Sequence, residues 1–131
     1  HLFGRPDVIM LPHIGASTEE AEETCAIMAA RQLVNFLENG NIVNSVNFPA
    51  LSLEKTSRNR MAIANKNIPK MLGRITSLLA DSNINVNEML NKSRDDVAYN
   101  LIDLDTSPSD ALLAALRGIE GVINVRVVYA E

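Results

Sequence analysis

Few side chains in this sequence stand in a setting that suggests acid, base or nucleophile chemistry. His13 lies in Pro12-His13-Ile14-Gly15-Ala16, a break between an apolar run and a helix start. An imidazole titrates near neutrality, so a loop histidine can take a proton from a hydroxyl and return it. Taken alone, a histidine after a proline is more often a surface or structural residue. Cys25 is the single cysteine. It falls on the apolar stripe of a helical pattern, with no histidine or basic residue beside it, and reads as core. The acidic pairs Glu19-Glu20 and Asp95-Asp96 superficially suggest metal ligands. The first instead reads as a helix start, where acids favour the dipole, and the second as a turn. No metal site is expected, and no C-x-x-C motif is present.

The elements around these residues divide into two unlike halves. Residues 1–54 open with an apolar run at 8–11 that reads as a short strand, then the break at 12–16. Ser17-Thr18-Glu19-Glu20 matches a capping box, in which Ser17 accepts from the amide near Glu20 and Glu20 reaches back. A helix is predicted over about 18–38, stopped by Asn39-Gly40. Ala21, Cys25, Met28, Leu33 and Phe36 form its stripe, and Ile27, Val34 and Leu37 widen it beyond that of a simple surface helix. Residues 41–57 read as an extended connector containing Pro49, with a hinge at Lys55-Thr56-Ser57 within 55–59. One strand and one helix bury no core of their own, so this half needs a partner.

Residues 60–131 read as a complete small domain. Strands are predicted at 60–65, 84–92, 97–105 and 122–129, with a turn at Arg94-Asp95-Asp96. One helix begins in a first turn containing Pro69, and a second is capped by Ser107-Pro108-Ser109-Asp110. On the last strand, alternation places Ile123, Val125, Val127 and Tyr129 on one face, with Asn124 and Arg126 opposite. The order βαββαβ is the ferredoxin-like arrangement, an α+β fold with a four-stranded antiparallel sheet and two helices on one face.

Composition removes several function classes. The chain has 131 residues, a net charge of −4 and five aromatics, with no basic cluster, which argues against nucleic acid as a partner. Its apolar runs are too short to cross a bilayer, and no secretory signal pattern opens it. A lone cysteine fits a reducing, cytoplasmic setting. The chain starts at His1, without Met, in sequence that reads as structured, so a piece of a longer chain is expected.

The block Pro12-His13-Ile14-Gly15-Ala16-Ser17-Thr18-Glu19-Glu20-Ala21 resembles the surroundings of the catalytic histidine in the D-2-hydroxyacid dehydrogenase family, particularly its phosphoglycerate-oxidising members. Asn39-Gly40 and Ser45-Val46-Asn47-Phe48-Pro49 resemble the linker of those enzymes, and the βαββαβ half resembles their C-terminal ACT domain. The resemblance implies NAD-dependent oxidation of a 2-hydroxy acid, D-3-phosphoglycerate, with His13 as general acid/base. It places Gly15 and Ala16 beside the nicotinamide end of NAD. The substrate arginine, the acidic partner of the histidine and a G-x-G-x-x-G loop are not in this sequence, so catalysis and NAD binding are expected of the longer parent and not of this piece. The resemblance also implies an L-serine effector site at Asn65, Asn67 and Asn85, shared between paired ACT domains in a homo-oligomer. An amide side chain can both donate to a carboxylate and accept from an ammonium. Two departures stand out: Asn65 occupies a position where histidine is common, and Lys70 follows Pro69 where glycine is usual. Lys70 is expected to weaken serine binding by narrowing the site or adding a cation. The alternative reading is a stand-alone amino-acid-binding or dimerisation module, which would not need the histidine block of residues 1–54.

Overall fold

The computed structural model describes residues 2–130, so the outermost residues of the expected domain bounds, 1 and 131, lie outside the described residues. The chain divides into two compact units, His1–Arg31 and Gln32–Glu131.

In the first unit, residues 8–11 form no strand. A strand needs a neighbour for its amides and carbonyls, and among the described residues none pairs with this run. Helix α1 spans Glu19–Asn39, close to the sequence reading. Its cap is displaced by one residue from the expected box: Thr18 Oγ1 accepts from the Ala21 amide at 3.2 Å. The residue three positions after this cap is then Ala21, which has no side chain to reach back with, so a single cap replaces the reciprocal pair. No residue of α1 is buried, and Ile27, Met28, Leu33, Val34 and Leu37 are exposed. Cys25, expected in a core, is exposed as well.

The second unit carries the sheet. Strands β1 (Asn59–Lys66), β2 (Val86–Arg94), β3 (Val97–Leu104) and β4 (Val122–Tyr129) form one antiparallel sheet in the order β2-β3-β1-β4. β2 and β4 are therefore its edges. Helices α2 (Met71–Asp81) and α3 (Asp110–Arg117) lie on one face. Their apolar residues Ile75, Leu79, Leu112 and Leu116 close over Met61, Ile63, Ile102 and Leu104. This is the expected α+β, βαββαβ architecture. Ser109 caps α3, accepting from the Leu112 amide at 3.2 Å.

The opposite face of the sheet is covered too. Ile42, Leu51 and Leu53 pack against Ala62, Ala64, Tyr99 and Leu101, with Phe36 and Phe48 at the margin. Residues 41–53 are thus a packed layer, held by a bridge between Ile42 and Leu51. The segment expected as a hinge is tied to the sheet: Ser57 Oγ donates to Leu104 O at 2.7 Å, and the Thr56 hydroxyl lies 3.1 Å from both Glu88 Oε2 and Asp103 Oδ2.

Two irregularities in the β1·β4 pairing change the face reading of β4. Met61 faces Val127 and Arg60 faces Tyr129, so Val128 is skipped; Ala64 faces Asn124 and Asn65 faces Val122, so Ile123 is skipped. Val125 and Val127 pack into the helix-side core as expected, but Ile123 is exposed and Tyr129 lies over Lys55 and Arg60 instead. An extra residue in a strand breaks the period-2 rule locally.

Candidate functional site

The loop between β1 and α2 borders a cavity of about 330 Å³ lined by Asn65, Asn67, Pro69, Lys70, Asn91 and Ala98, among others. Pro69 stands before the helix and not in its first turn; Lys70 is the N-cap residue, with φ 74° and no side-chain cap hydrogen bond. A left-handed backbone explains why glycine suits this position: a residue with a Cβ is strained there. The loop is fastened to the β2–β3 turn, where the Asn67 amide N–H donates to Asp96 O at 2.8 Å and Asn67 Nδ2 donates to Asp95 O at 3.0 Å.

Asn65 is buried at 2% exposure on the helix-facing side of β1. Its Nδ2 donates to Lys66 O at 2.7 Å, and its Oδ1 accepts from Asn100 Nδ2 at 2.7 Å. Asn100 is fully buried and also donates to Ile63 O at 3.1 Å, while its own Oδ1 accepts from Asn91 Nδ2 at 2.7 Å. The structure brings Asn65 and Asn67 to one cavity and leaves Asn85 out of it. Asn85 precedes β2, where its amide N–H donates to Asp105 Oδ1 at 3.0 Å. It lies six positions before Asn91, about 20 Å along an extended strand. The sequence reading did not single out Asn91 or Asn100. The available signal was Asn100 itself, a polar side chain inside the apolar run Ala98-Tyr99-Asn100-Leu101-Ile102.

On the other face, Arg60 and Asp103 form an ion pair with both side chains at 0% exposure. All five guanidinium N–H groups are used: two on Asp103, and the others on Asn39 O (3.1 Å), Leu53 O (2.9 Å) and Glu54 O (2.6 Å). Burial alone would lower the Arg60 pKa; the hydrogen bond and charge of Asp103 outweigh it and hold the guanidinium above its ordinary value. Arg126 from β4 donates to Phe36 O at 2.6 Å and Leu37 O at 3.3 Å, with its guanidinium 4.5 Å from the Phe36 ring centre. Two arginines of the sheet thereby satisfy carbonyls at the end of α1, whose last turn has no basic residue of its own.

His13, Gly15 and Ala16 lie exposed in the irregular segment before α1. A Cβ built on Gly15 would meet nothing within 4 Å. Within this chain, then, these residues form no wall of a dinucleotide site and do not fit NAD by themselves. Among the described residues, no cluster of three or more His, Cys, Asp or Glu could hold a metal ion, and no helix is long and apolar enough to cross a membrane.

No family model matches the chain. It is 33% identical over 124 residues to the D-3-phosphoglycerate dehydrogenase of Haemophilus influenzae, covering 94% of this chain and 30% of that protein. It is 30% identical over 125 residues to the Escherichia coli K12 enzyme of the same name, and 32% identical over 136 residues to D-3-phosphoglycerate dehydrogenase 1 of Saccharomyces cerevisiae. The chain thus spans about 30% of the length of the curated relatives it matches. Among solved structures, the ACT domain of a Chlorobium tepidum GTP pyrophosphokinase is similar at 18% identity and a TM-score of 0.47, covering 53% of this chain and 94% of that one. The similarity runs over 94% of this chain, which is homologous to the C-terminal portion of D-3-phosphoglycerate dehydrogenases.

Proposed function

We propose that this chain serves as the C-terminal part of an NAD-dependent enzyme that oxidises D-3-phosphoglycerate to 3-phosphohydroxypyruvate in the cytoplasm. Residues 1–54 then belong to the dehydrogenase domains, 55–59 join them to the rest, and 60–131 are the regulatory ACT domain. The similarity across 94% of the chain or more to three enzymes of that name carries this reading. His13 is assigned the acid/base role, because it stands in the block that resembles the family's catalytic histidine. Its proton chemistry requires groups outside this chain, so the isolated chain is expected to be inactive.

The cavity at Asn65 and Asn67 is assigned to a small amino acid, L-serine. Asn85 would reach such a site only from a second chain. β2 is an edge strand whose free side can pair with its own copy. Antiparallel pairing about a two-fold axis carries Asn85 of one chain along β2 toward the cavity end of the other.

Activity measurements test the catalytic part. The full-length parent should reduce NAD with 3-phosphoglycerate, and His13→Ala in the parent should lower turnover on the order of 10²–10⁴-fold. NAD reduction by the isolated chain, or unchanged turnover in the variant, overturns the assignment. For assembly, light scattering should show a dimer at high micromolar concentration; a strict monomer overturns the β2 pairing.

A further inference from the structure

We infer that Asn91 is the ammonium-binding group of the amino-acid site and Asn100 the residue that positions it, an inference that rests on the amino-acid reading above. The three buried or edge amides form a chain with one direction. Backbone carbonyls can only accept, so the atoms facing Ile63 O and Lys66 O are the nitrogens of Asn100 and Asn65. Asn100 Nδ2 also reaches Asn65 Oδ1 at 2.7 Å, which turns Asn100 Oδ1 toward β2. There it takes a hydrogen bond from Asn91 Nδ2, also at 2.7 Å. Asn91 must then keep its Oδ1 as the outgoing group. Asn100 is fully buried, and a reversed amide would place oxygen against two acceptors in a low-dielectric interior, so the order is locked.

Asn91 and Lys70 both line the cavity, one from β2 and the other from the start of α2. The site therefore offers an acceptor on the strand side and a cation on the helix side. An α-amino acid carries the complementary groups: its ammonium donates to Asn91 Oδ1 and its carboxylate faces the Lys70 ammonium. A 2-hydroxy acid of the same skeleton keeps the carboxylate and loses the ammonium. In this arrangement Lys70 attracts the ligand's carboxylate, the opposite of the weakening that the sequence reading expects from it.

Calorimetric titration of the whole 131-residue chain with L-serine and with L-glycerate separates these groups. The wild type should bind L-serine more tightly than L-glycerate, on the order of tenfold to a hundredfold, the range for a hydrogen bond to a charged group. Asn91→Leu should bring that ratio close to one, with a lower thermal unfolding temperature because buried Asn100 Oδ1 loses its donor. Asn100→Leu should narrow the ratio too, because the Asn91 amide becomes free to turn. Lys70→Met should weaken both ligands alike. An unchanged ratio in Asn91→Leu, or equal binding of the two ligands by the wild type, overturns the role of Asn91 and leaves the amino-acid reading standing. No binding of either ligand by the wild type overturns both.

Discussion

Arg60 and Asp103 face each other across β1 and β3, with Nε–Oδ1 at 2.5 Å and Nη2–Oδ2 at 2.8 Å, and neither side chain touches solvent. The pair does more than close two strands. The remaining Arg60 N–H groups hold the carbonyls of Asn39, Leu53 and Glu54, so one side chain fastens the end of α1 and the connector to the sheet.

Asp103→Ala leaves that guanidinium buried without its counter-charge. The expected loss is about 3–5 kcal/mol of folding stability, the scale for breaking a buried pair from one side. Arg60→Lys should also destabilise, because an ammonium has three donors where five are used and cannot fork onto the carboxylate. Urea unfolding of the two variants checks both; a change below about 1 kcal/mol in Asp103→Ala, the scale of an exposed ion pair, contradicts the account.

Lys70 holds a left-handed backbone at φ 74°. Lys70→Gly removes a strain of about 1–2 kcal/mol but adds flexibility to the unfolded chain. The net expectation is a gain of about 0.5–1 kcal/mol, read as a raised urea midpoint. A lowered midpoint shows that the lysine side chain makes a compensating contact.

Gly40 ends α1 at φ 75°, and a Cβ there would fall 2.7 Å from Leu101 Cδ2 and 3.2 Å from Val128 Cγ2. Gly40→Ala combines a left-handed alanine with overpacking against a fully buried leucine. The expected cost is about 2–4 kcal/mol, measured in the same unfolding series.

The two tyrosines give a pH dependence. Burial raises the hydroxyl pKa of Tyr99 above its ordinary value, against the opposing pull of Arg126 and Arg60. Burial also raises that of Tyr129, whose buried hydroxyl has no hydrogen-bond partner among the described residues. The folded chain thus holds these protons more tightly than the unfolded chain. The stability they contribute is complete below the ordinary tyrosine value of about 10 and is lost as pH rises through the folded values. Phenolate absorbance should therefore appear at higher pH in the native chain than in denaturant; coincident curves contradict this.

The periodicity of α2 and α3 was legible in the sequence, because each buries one face against one layer and the apolar spacing records that single contact. The same holds for the βαββαβ order, and for Ser109, whose cap depends only on residues three positions apart. The helix cap at Thr18, one residue from the box read at Ser17, shows how weakly sequence distinguishes adjacent cap candidates when both have hydroxyls. The faces of Ile123 and Tyr129 were not legible, since a bulge is set by the register of β4 against β1 and leaves the strand's own alternation looking regular. Nor was the grip of Arg126 on the end of α1, made across about 90 positions of sequence, or the five bonds of Arg60. Local pattern records what a residue does within its own element. Where an arginine finds carbonyls, or an asparagine finds two more amides, depends on which strands the sheet makes neighbours, and only the tertiary structure decides that.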